Sequence, residues 1–443
     1  MSKATQAFYE RDDVLVVLTT ATTGLGHTRV TAALLAGLPK IANKEVIGLS
    51  NSKLKVLHRI TSINPELRAL VEFVQNSPLI EKKFTTLYRW QLQKNTKHIR
   101  KQLRELASSF RPLPKHVLIV CSHFSLAHQL GEIMPGLRQD LKSQVSLSVV
   151  VTDDSPQGIW LVREADYIFV PSRTTEKKLS EYADSIQGKK PKFVVNPYPV
   201  SQELAEEMTS QEWKLRLKQL TPDSKEPLRV MIPISGAAVQ LSYFQKLIQS
   251  LEKLLPVKFL VVSRKSKHTQ KFLDWCVQRA SVEVTTYEHD WDVVSAYERI
   301  YKREVVGVEI TKPSEQAFKS LYTPRMYGGS VLLFSNPVGR QEDDNVAFMR
   351  RFGLLPNARE AMILYDNLKL FQDSLKKEAC GWRGVMLPPD DGELAAQKIA
   401  TWHKKGILLT MTKYQHPIDS GVVRTDGVDG IWKFLAKEHQ AFT

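Results

Sequence analysis

The sequence predicts an α/β chain of two domains, each a parallel sheet wrapped by helices. Apolar runs of four to eight residues alternate with stretches of helical periodicity, the pattern of strands buried on both faces between crossover helices. A length of 443 residues exceeds what one hydrophobic core normally organises and fits two domains of roughly 200 residues each. A hydrophobic content of 42% beside 25% charged residues belongs to a folded chain rather than a disordered one.

The first domain is expected over residues 1–198, with strands at 14–18, 46–49, 117–120, 146–151, 167–170 and 192–195. An insertion over about 52–115 separates the second strand from the third. Leu54, Leu57, Ile60, Leu67, Leu70, Val71, Phe73 and Val74 recur there at helical spacing until Ser77-Pro78 breaks the run. A second amphipathic stretch carries Phe84, Leu87, Tyr88, Trp90 and Leu92 among Lys and Arg. The stiff exit Asn196-Pro-Tyr-Pro-Val200 closes this domain, and an acidic helix is expected over 201–220. A second series of strands follows at 229–234, 259–263, 282–286, 305–310 and 331–335, in a domain spanning 199–425. Residues 426–443 carry a short amphipathic helix.

No window approaches the ~18 consecutive apolar residues of a membrane span, and the first residues lack the apolar core of a secretory signal. Cys121, Cys276 and Cys380 are too widely separated for a zinc pattern or a disulfide framework. No metal-ligand spacing is present, so no metal is expected. The net charge of +15 is concentrated between Lys82 and Lys115, where ten Lys and Arg face the single acid Glu105. Such a surface attracts anionic lipid headgroups or nucleic acid, or is simply a solvated basic helix with no partner. No RNA-binding signature accompanies it, so no specific nucleic-acid partner is expected.

Chemistry concentrates where strands end. The stretch Leu18-Thr-Thr-Ala-Thr-Thr-Gly-Leu-Gly-His27 runs from a strand through a Thr/Gly turn into a small-residue helix. Gly24 and Gly26 permit positive φ and close approach of a ligand. The helix that follows favours an anion, and His27 at its mouth is placed to act as a general base or a hydrogen-bond donor, unless the segment is an ordinary βα turn with a surface histidine. Thr152, Asp153 and Asp154 close the fourth strand, where a carboxylate orients a base or caps the next turn. In the second domain, Ile234-Ser235-Gly236-Ala-Ala238 is a small-residue loop opening a helix, a candidate diphosphate cradle. Arg264, after the next strand, has the fork geometry for phosphate oxygens.

Further segments share an order and spacing with this one: Cys121-Ser-His123-Phe, Val149-Val-Val-Thr-Asp-Asp154 with Trp160, and Asp166-Tyr-Ile-Phe-Val-Pro-Ser172. Ile310-Thr-Lys-Pro313 and Asn336-Pro-Val-Gly-Arg-Gln-Glu-Asp-Asp-Asn345 complete the set. Together, from about Val14 to Arg351, they resemble the GT-B glycosyltransferases of the monogalactosyldiacylglycerol synthase and processive diacylglycerol glucosyltransferase family, with MurG as a more distant relative. The resemblance implies two Rossmann-like domains facing across a cleft, the last helix returning to the first domain. It implies transfer of a sugar from a nucleotide-sugar, a UDP-sugar, with no further cofactor. The acceptor is then lipid-like, and the protein cytoplasmic and peripheral at the inner face of an anionic membrane, with Trp90, Tyr88 and Phe84 as interfacial residues. His27 and Asp153 become the catalytic pair, with Gly24, Gly26, His123 and Asp154 on the acceptor side. Donor binding falls to Ser235, Gly236, Arg264, Tyr287, Lys312, Ser314, Glu315, Gln341, Glu342 and Asn345.

The sequence also departs from that family. Thr311-Lys-Pro-Ser-Glu315 stands where the family has Thr-Lys-Pro-Gly-Gly, and the family's ribose-binding Glu falls near Ser320. Ser155-Pro-Gln-Gly-Ile-Trp160 replaces a segment that often carries a His. These departures keep open a non-catalytic GT-B-like protein that binds another anionic ligand, and a nucleotide-sugar epimerase. A nucleic-acid binder rests on charge alone.

Overall fold

The structure, a computed structural model, describes residues 1–21, 25–49, 89, 92, 96–234, 238–366, 378–414 and 421–440. The chain divides into two compact units, Met1–Gln202 with Arg424–Thr443, and Glu203–Val423. Of the insertion expected over about 52–115, residues 52–88, 90, 91 and 93–95, among them Phe84, Tyr88 and Trp90, lie outside the described residues.

The first unit holds six parallel strands: β1 (Val14–Ala21), β2 (Asn43–Leu49), β3 (His116–Cys121), β4 (Gln144–Val150), β5 (Tyr167–Val170) and β6 (Lys192–Val195). Their spatial order is β2-β1-β3-β4-β5-β6. Every position of β1 and β3 is buried, because helices cover both faces of a parallel sheet. Among these helices are α1 (Lys3–Tyr9), α2 (Leu25–Ala36), α3 (Lys97–Ser109), α4 (Phe124–Leu141) and α5 (Arg173–Asp184). Leu126, Leu130 and Met134 of α4 pack with Leu15, Val117, Ile119, Leu147 and Trp160 in one core.

Helix α3 shows what part of the basic insertion does. Ile99, Leu103 and Ala107, spaced four apart, form its buried stripe, which is therefore spent on the core. Arg100 and Arg104 reach Asp140 of α4 at 2.8 and 3.6 Å, so two of its charges are compensated.

The helix Gly427–Gln440 belongs to this first unit. Trp432 Nε1 donates to Leu34 O (3.0 Å) and Tyr9 Oη donates to Trp432 O (2.8 Å). Gly427 permits the approach, since a Cβ there would sit 2.1 Å from Pro197 O. At the other end, His439 Nε2 lies 2.8 Å from Ser146 Oγ, and its Nδ1 lies 3.4 Å from His116 Nδ1.

The second unit repeats the architecture with β7 (Leu228–Pro233), β8 (Val257–Arg264), β9 (Val282–Tyr287), β10 (Val308–Thr311), β11 (Val331–Phe334) and β12 (Gly384–Met386). The order β12-β11-β10-β7-β8-β9, counted within the unit, is the 3-2-1-4-5-6 of a dinucleotide-binding sheet. Its helices include α6 (Ser210–Leu220), α7 (Leu241–Leu254), α8 (Gln270–Val277), α9 (Asp290–Glu304), α10 (Arg340–Arg351), α11 (Ala358–Asp366) and α12 (Gly392–Lys404). Gly392 lets α12 approach α7, because a Cβ would meet Tyr243 O at 2.3 Å.

Two sequence expectations are corrected here, and one strand is added. The helix expected over 201–220 starts only at Ser210, where Thr209 and Glu212 form a reciprocal capping box. The preceding backbone is used instead in a bridge between Glu207 and Met326. The strand expected over 305–310 is Val308–Thr311, because Val305 ends α9 in a left-handed conformation. Gly384–Met386 adds a strand too short to announce itself.

Two buried imidazoles set an acid limit on stability. Burial pushes His128 down to about 4, the Arg89 charge adding to it. Burial likewise pushes His439 down to about 4, with the neighbouring His116 adding to it. Both are neutral in the fold and protonate near 6.5 when unfolded. Their contribution is therefore present above about pH 6.5 and is lost as pH falls towards 4. Melting temperature should fall steadily across that window, and His439→Gln should flatten the slope. An unchanged slope in that variant would remove His439 from the account.

Candidate functional site

In open parallel sheets, the crevice for ligands lies at the carboxyl ends of strands where the strand order reverses. In the first unit that point falls between β1 and β3. Helix α2 begins at Leu25, so Gly26 and His27 lie in its first turn rather than ahead of it. This corrects the expected helix start and the turn role of Gly26. Gly24 lies outside the described residues. His27 Nδ1 sits 2.8 Å from Ser122 O, at the end of β3, and 3.3 Å from Thr152 Oγ1, beyond β4. A carbonyl oxygen only accepts, so Nδ1 carries the proton and the lone pair of the neutral ring belongs to Nε2. Ser122 is itself fixed by Thr31 Oγ1 at 2.8 Å, and Thr31 Oγ1 donates to His27 O at 2.9 Å.

The His123 ring packs edge-on against His27 with centroids 4.6 Å apart, and the Trp160 ring lies 6.4 Å away. Asp153 follows Thr152 and is partly exposed. Asp154 does something different. Its Oδ1 accepts from Ser172 Oγ and, at 2.8 Å, from Thr175 Oγ1, so its carboxylate pins the loop after β4 to the start of α5. This anchoring differs from the expected cap of the next turn, because these partners lie at the start of α5. The side-chain motifs marked His27 and His123, whereas the Ser122 carbonyl that sets the tautomer belongs to the backbone and leaves no signature in a side-chain pattern.

In the second unit the order reverses between β7 and β10. Lys312 and Ser314 follow β10, and Glu342 and Asn345 lie in the first turns of α10. Lys312 Nζ donates to Glu342 Oε1, while Glu342 Oε2 accepts from Val338 N at 2.7 Å. Asn345 Nδ2 donates to Pro313 O and Ser314 O, each at 3.2 Å. Burial pushes the Glu342 carboxyl above its ordinary value, against the pull of Lys312. Glu315 opens a 3-10 helix, Glu315–Leu321, and Gln341 precedes Glu342 on α10. Gly339 caps α10 at φ 95°, a conformation that favours glycine.

Ser235 and Gly236 lie outside the described residues, but the chain just after them is strained. Ala238 and Gln240 hold positive φ of 53° and 60°, a conformation that side chains disfavour and that concentrates at functional sites. Gln240 is held there by Ser335 Oγ at 2.8 Å and Asn336 O at 2.9 Å. Arg264 and Tyr287 form a separate pair at the ends of β8 and β9, in register with each other. Arg264 Nη1 lies 3.4 Å from Asp290 Oδ1. Among the described residues no group of three or more His, Cys, Asp or Glu side chains is placed to hold a metal ion, and no helix is long and apolar enough to cross a membrane.

Sequence reasoning missed several charges buried inside this unit. Lys319, on the 3-10 helix, donates to Glu309 Oε2 of β10 and to Tyr297 Oη, both at 2.6 Å, and lies 3.6 Å from the Tyr301 ring centroid. Arg216, wholly buried, donates to the carbonyls of Val306, Pro324, Met326 and Tyr327. Arg383 holds those of Tyr322, Gly329 and Ser330. Both guanidiniums thus clamp the segment that links the 3-10 helix to β11.

No protein-family model and no curated protein matches the sequence. Solved structures do. A UDP-N-acetylglucosamine 2-epimerase matches with a TM-score of 0.50 at 11% identity, over 97% of each chain. The S. aureus MnaA–UDP structure gives 0.49 at 10% identity over 96% of this chain and 97% of that one. MurG from Acinetobacter baumannii gives 0.43 at 11% identity over 96% and 99%. At such identity the likeness concerns the fold, and the fold is the GT-B one, built from two Rossmann-like domains.

Removing one partner of a buried ion pair strands the other. Lys319→Met should cost about 3–5 kcal/mol and lower the denaturation midpoint. Adding Glu309→Leu to it should restore a large part of the loss, and a double variant no better than the single one would contradict the assignment.

Proposed function

We propose that this chain binds a nucleotide-sugar through its Glu203–Val423 unit and transfers the sugar to a hydroxyl acceptor activated by His27. The observation that carries the reading is the hydrogen bond from His27 Nδ1 to Ser122 O, which leaves Nε2 as the basic atom. In the step itself, the acceptor hydroxyl gives its proton to His27 Nε2. Its oxygen bonds to the anomeric carbon, and the bond from that carbon to the diphosphate breaks. The leaving diphosphate takes the negative charge, which an ammonium such as Lys312 and backbone N–H groups stabilise. Lys312, Glu342 and Asn345 supply the ammonium, carboxylate and amide suited to phosphate and sugar hydroxyls.

A UDP-sugar is proposed as the donor and a lipid-like alcohol as the acceptor. The second assignment draws on the basic excess over residues 82–115, which suits an anionic membrane surface. Binding to vesicles containing anionic lipid should fall with salt and fall further in Trp90→Ser/Phe84→Ser. Undiminished binding by that variant would remove the interfacial role of the rings.

Chromatography of the products after incubation with nucleotide-sugar and a lipid alcohol tests the reaction. Transfer yields free nucleoside diphosphate and a glycosylated acceptor, whereas an epimerase returns an isomeric nucleotide-sugar. His27→Ala should lower turnover by roughly 10²–10⁴ with donor affinity nearly intact; unchanged turnover would exclude His27 as the base. By calorimetry, Glu342→Ala should weaken donor binding by roughly 0.5–3 kcal/mol, and equal affinity would put the donor elsewhere.

A further inference from the structure

Both carboxylate oxygens of Glu342 are engaged within the protein. Oε1 accepts from Lys312 Nζ, and Oε2 accepts from Val338 N at 2.7 Å. The Lys312 side chain is 13% exposed and that of Glu342 is 8% exposed, so the pair is held largely out of water. The carboxylate is also fixed in place. Glu342 N donates to Gly339 O at 3.0 Å, and Asn345 of the same helix holds the carbonyls of Pro313 and Ser314, directly after Lys312.

The surroundings of the pair are mainly acidic. Glu315 opens the 3-10 helix that follows Lys312. On α10, Asp343 is exposed, and Asp344 is paired with Arg340 at 3.7 Å. Burial holds the Glu342 carboxyl above its ordinary value although Lys312 and Val338 N pull it down, and Glu315 adds to the rise.

A diphosphate that uses Lys312 upsets this balance. The buried carboxylate loses its cation and gains an anionic neighbour, and both changes disfavour its charged form. As a neutral acid, Glu342 keeps Val338 N on Oε2 and donates from Oε1 to a ligand oxygen. An ionised carboxylate has no proton to donate there.

We propose that the Lys312–Glu342 pair is a proton-coupled gate: the donor's diphosphate takes Lys312 from Glu342, and Glu342 takes a proton from solvent onto Oε1. This rests on the proposed nucleotide site and adds a regulation of it by pH. Affinity then falls as pH rises between the carboxyl's free and ligand-bound values, by up to about tenfold per pH unit, and is flat above them.

Calorimetry on the full chain tests it with UDP-glucose and UDP-N-acetylglucosamine, whose diphosphate diesters gain no proton near neutral pH. Titrations run in buffers of low and high ionisation enthalpy, from about pH 5.5 to about pH 8.5. Binding should take up as much as about one proton per ligand. Glu342→Gln, whose amide stands in for the neutral acid, should bind without uptake and with little dependence on pH. Lys312→Met, in which Glu342 lacks its cation with or without ligand, should bind more weakly and also without uptake. Melting temperatures confirm that both variants fold. Binding by the native chain with no proton uptake would overturn this inference and leave the nucleotide site standing. Uptake that survives in both variants would likewise overturn it. Failure of both nucleotide-sugars and of UDP to bind would overturn the gate and the site together.

Discussion

The constraint on which both units depend is the handedness of the parallel crossover. A strand feeding a right-handed crossover must place the next strand on a fixed side, so a helix-covered sheet grows outward in two directions from one reversal. At that reversal the adjoining loops leave on opposite faces, and polar groups at two strand ends can converge without breaking the apolar body of the sheet. β1 and β3 form that point in the first unit, and the hydrogen bond from His27 to Ser122 spans it. β7 and β10 form it in the second, with Lys312 and its partners beyond β10.

The second unit stabilises its loops with buried charge. Lys319 and Glu309 lose hydration on burial, and each is worth keeping only while the other is present. The Arg216 and Arg383 guanidiniums bind carbonyls instead, and burial pushes Arg216 down to about 9 and Arg383 to about 10. Such donors fix the carbonyls of an irregular segment that no ladder satisfies. One of these carbonyls, that of Tyr322, follows directly on the 3-10 helix that begins at Glu315, next in sequence to Ser314.

The fold was legible because strands buried on both faces must be continuous apolar runs, as at Val117–Val120 within β3. Segment 201–209 misled because its acidic composition suits a helix, whereas a bridge to Met326 and the Thr209–Glu212 box use its backbone otherwise. Positions were easier to read than roles. Asp154 sat at the expected strand end, yet its partners lie 18 and 21 residues further along, at Ser172 and Thr175. Glu309, Lys319, Arg216 and Arg383 look like surface residues in a sequence, since charges are rarely buried. Only tertiary contacts mark them as interior. The GT-B fold could be inferred from ordered motifs, but the Nδ1 tautomer of His27 needed the position of a backbone carbonyl.

The central claim is that the Glu203–Val423 unit is a nucleotide-sugar site, and ligand-dependent thermal stability tests it most directly. A ligand of the native state raises stability by about 2.7 kcal/mol at one hundred times its dissociation constant. The account predicts that a nucleoside diphosphate and its sugar conjugate each raise the melting temperature in a saturable, concentration-dependent way, while inorganic phosphate at the same concentration does not. A melting temperature unmoved by every nucleotide and nucleotide-sugar up to millimolar concentration would contradict it.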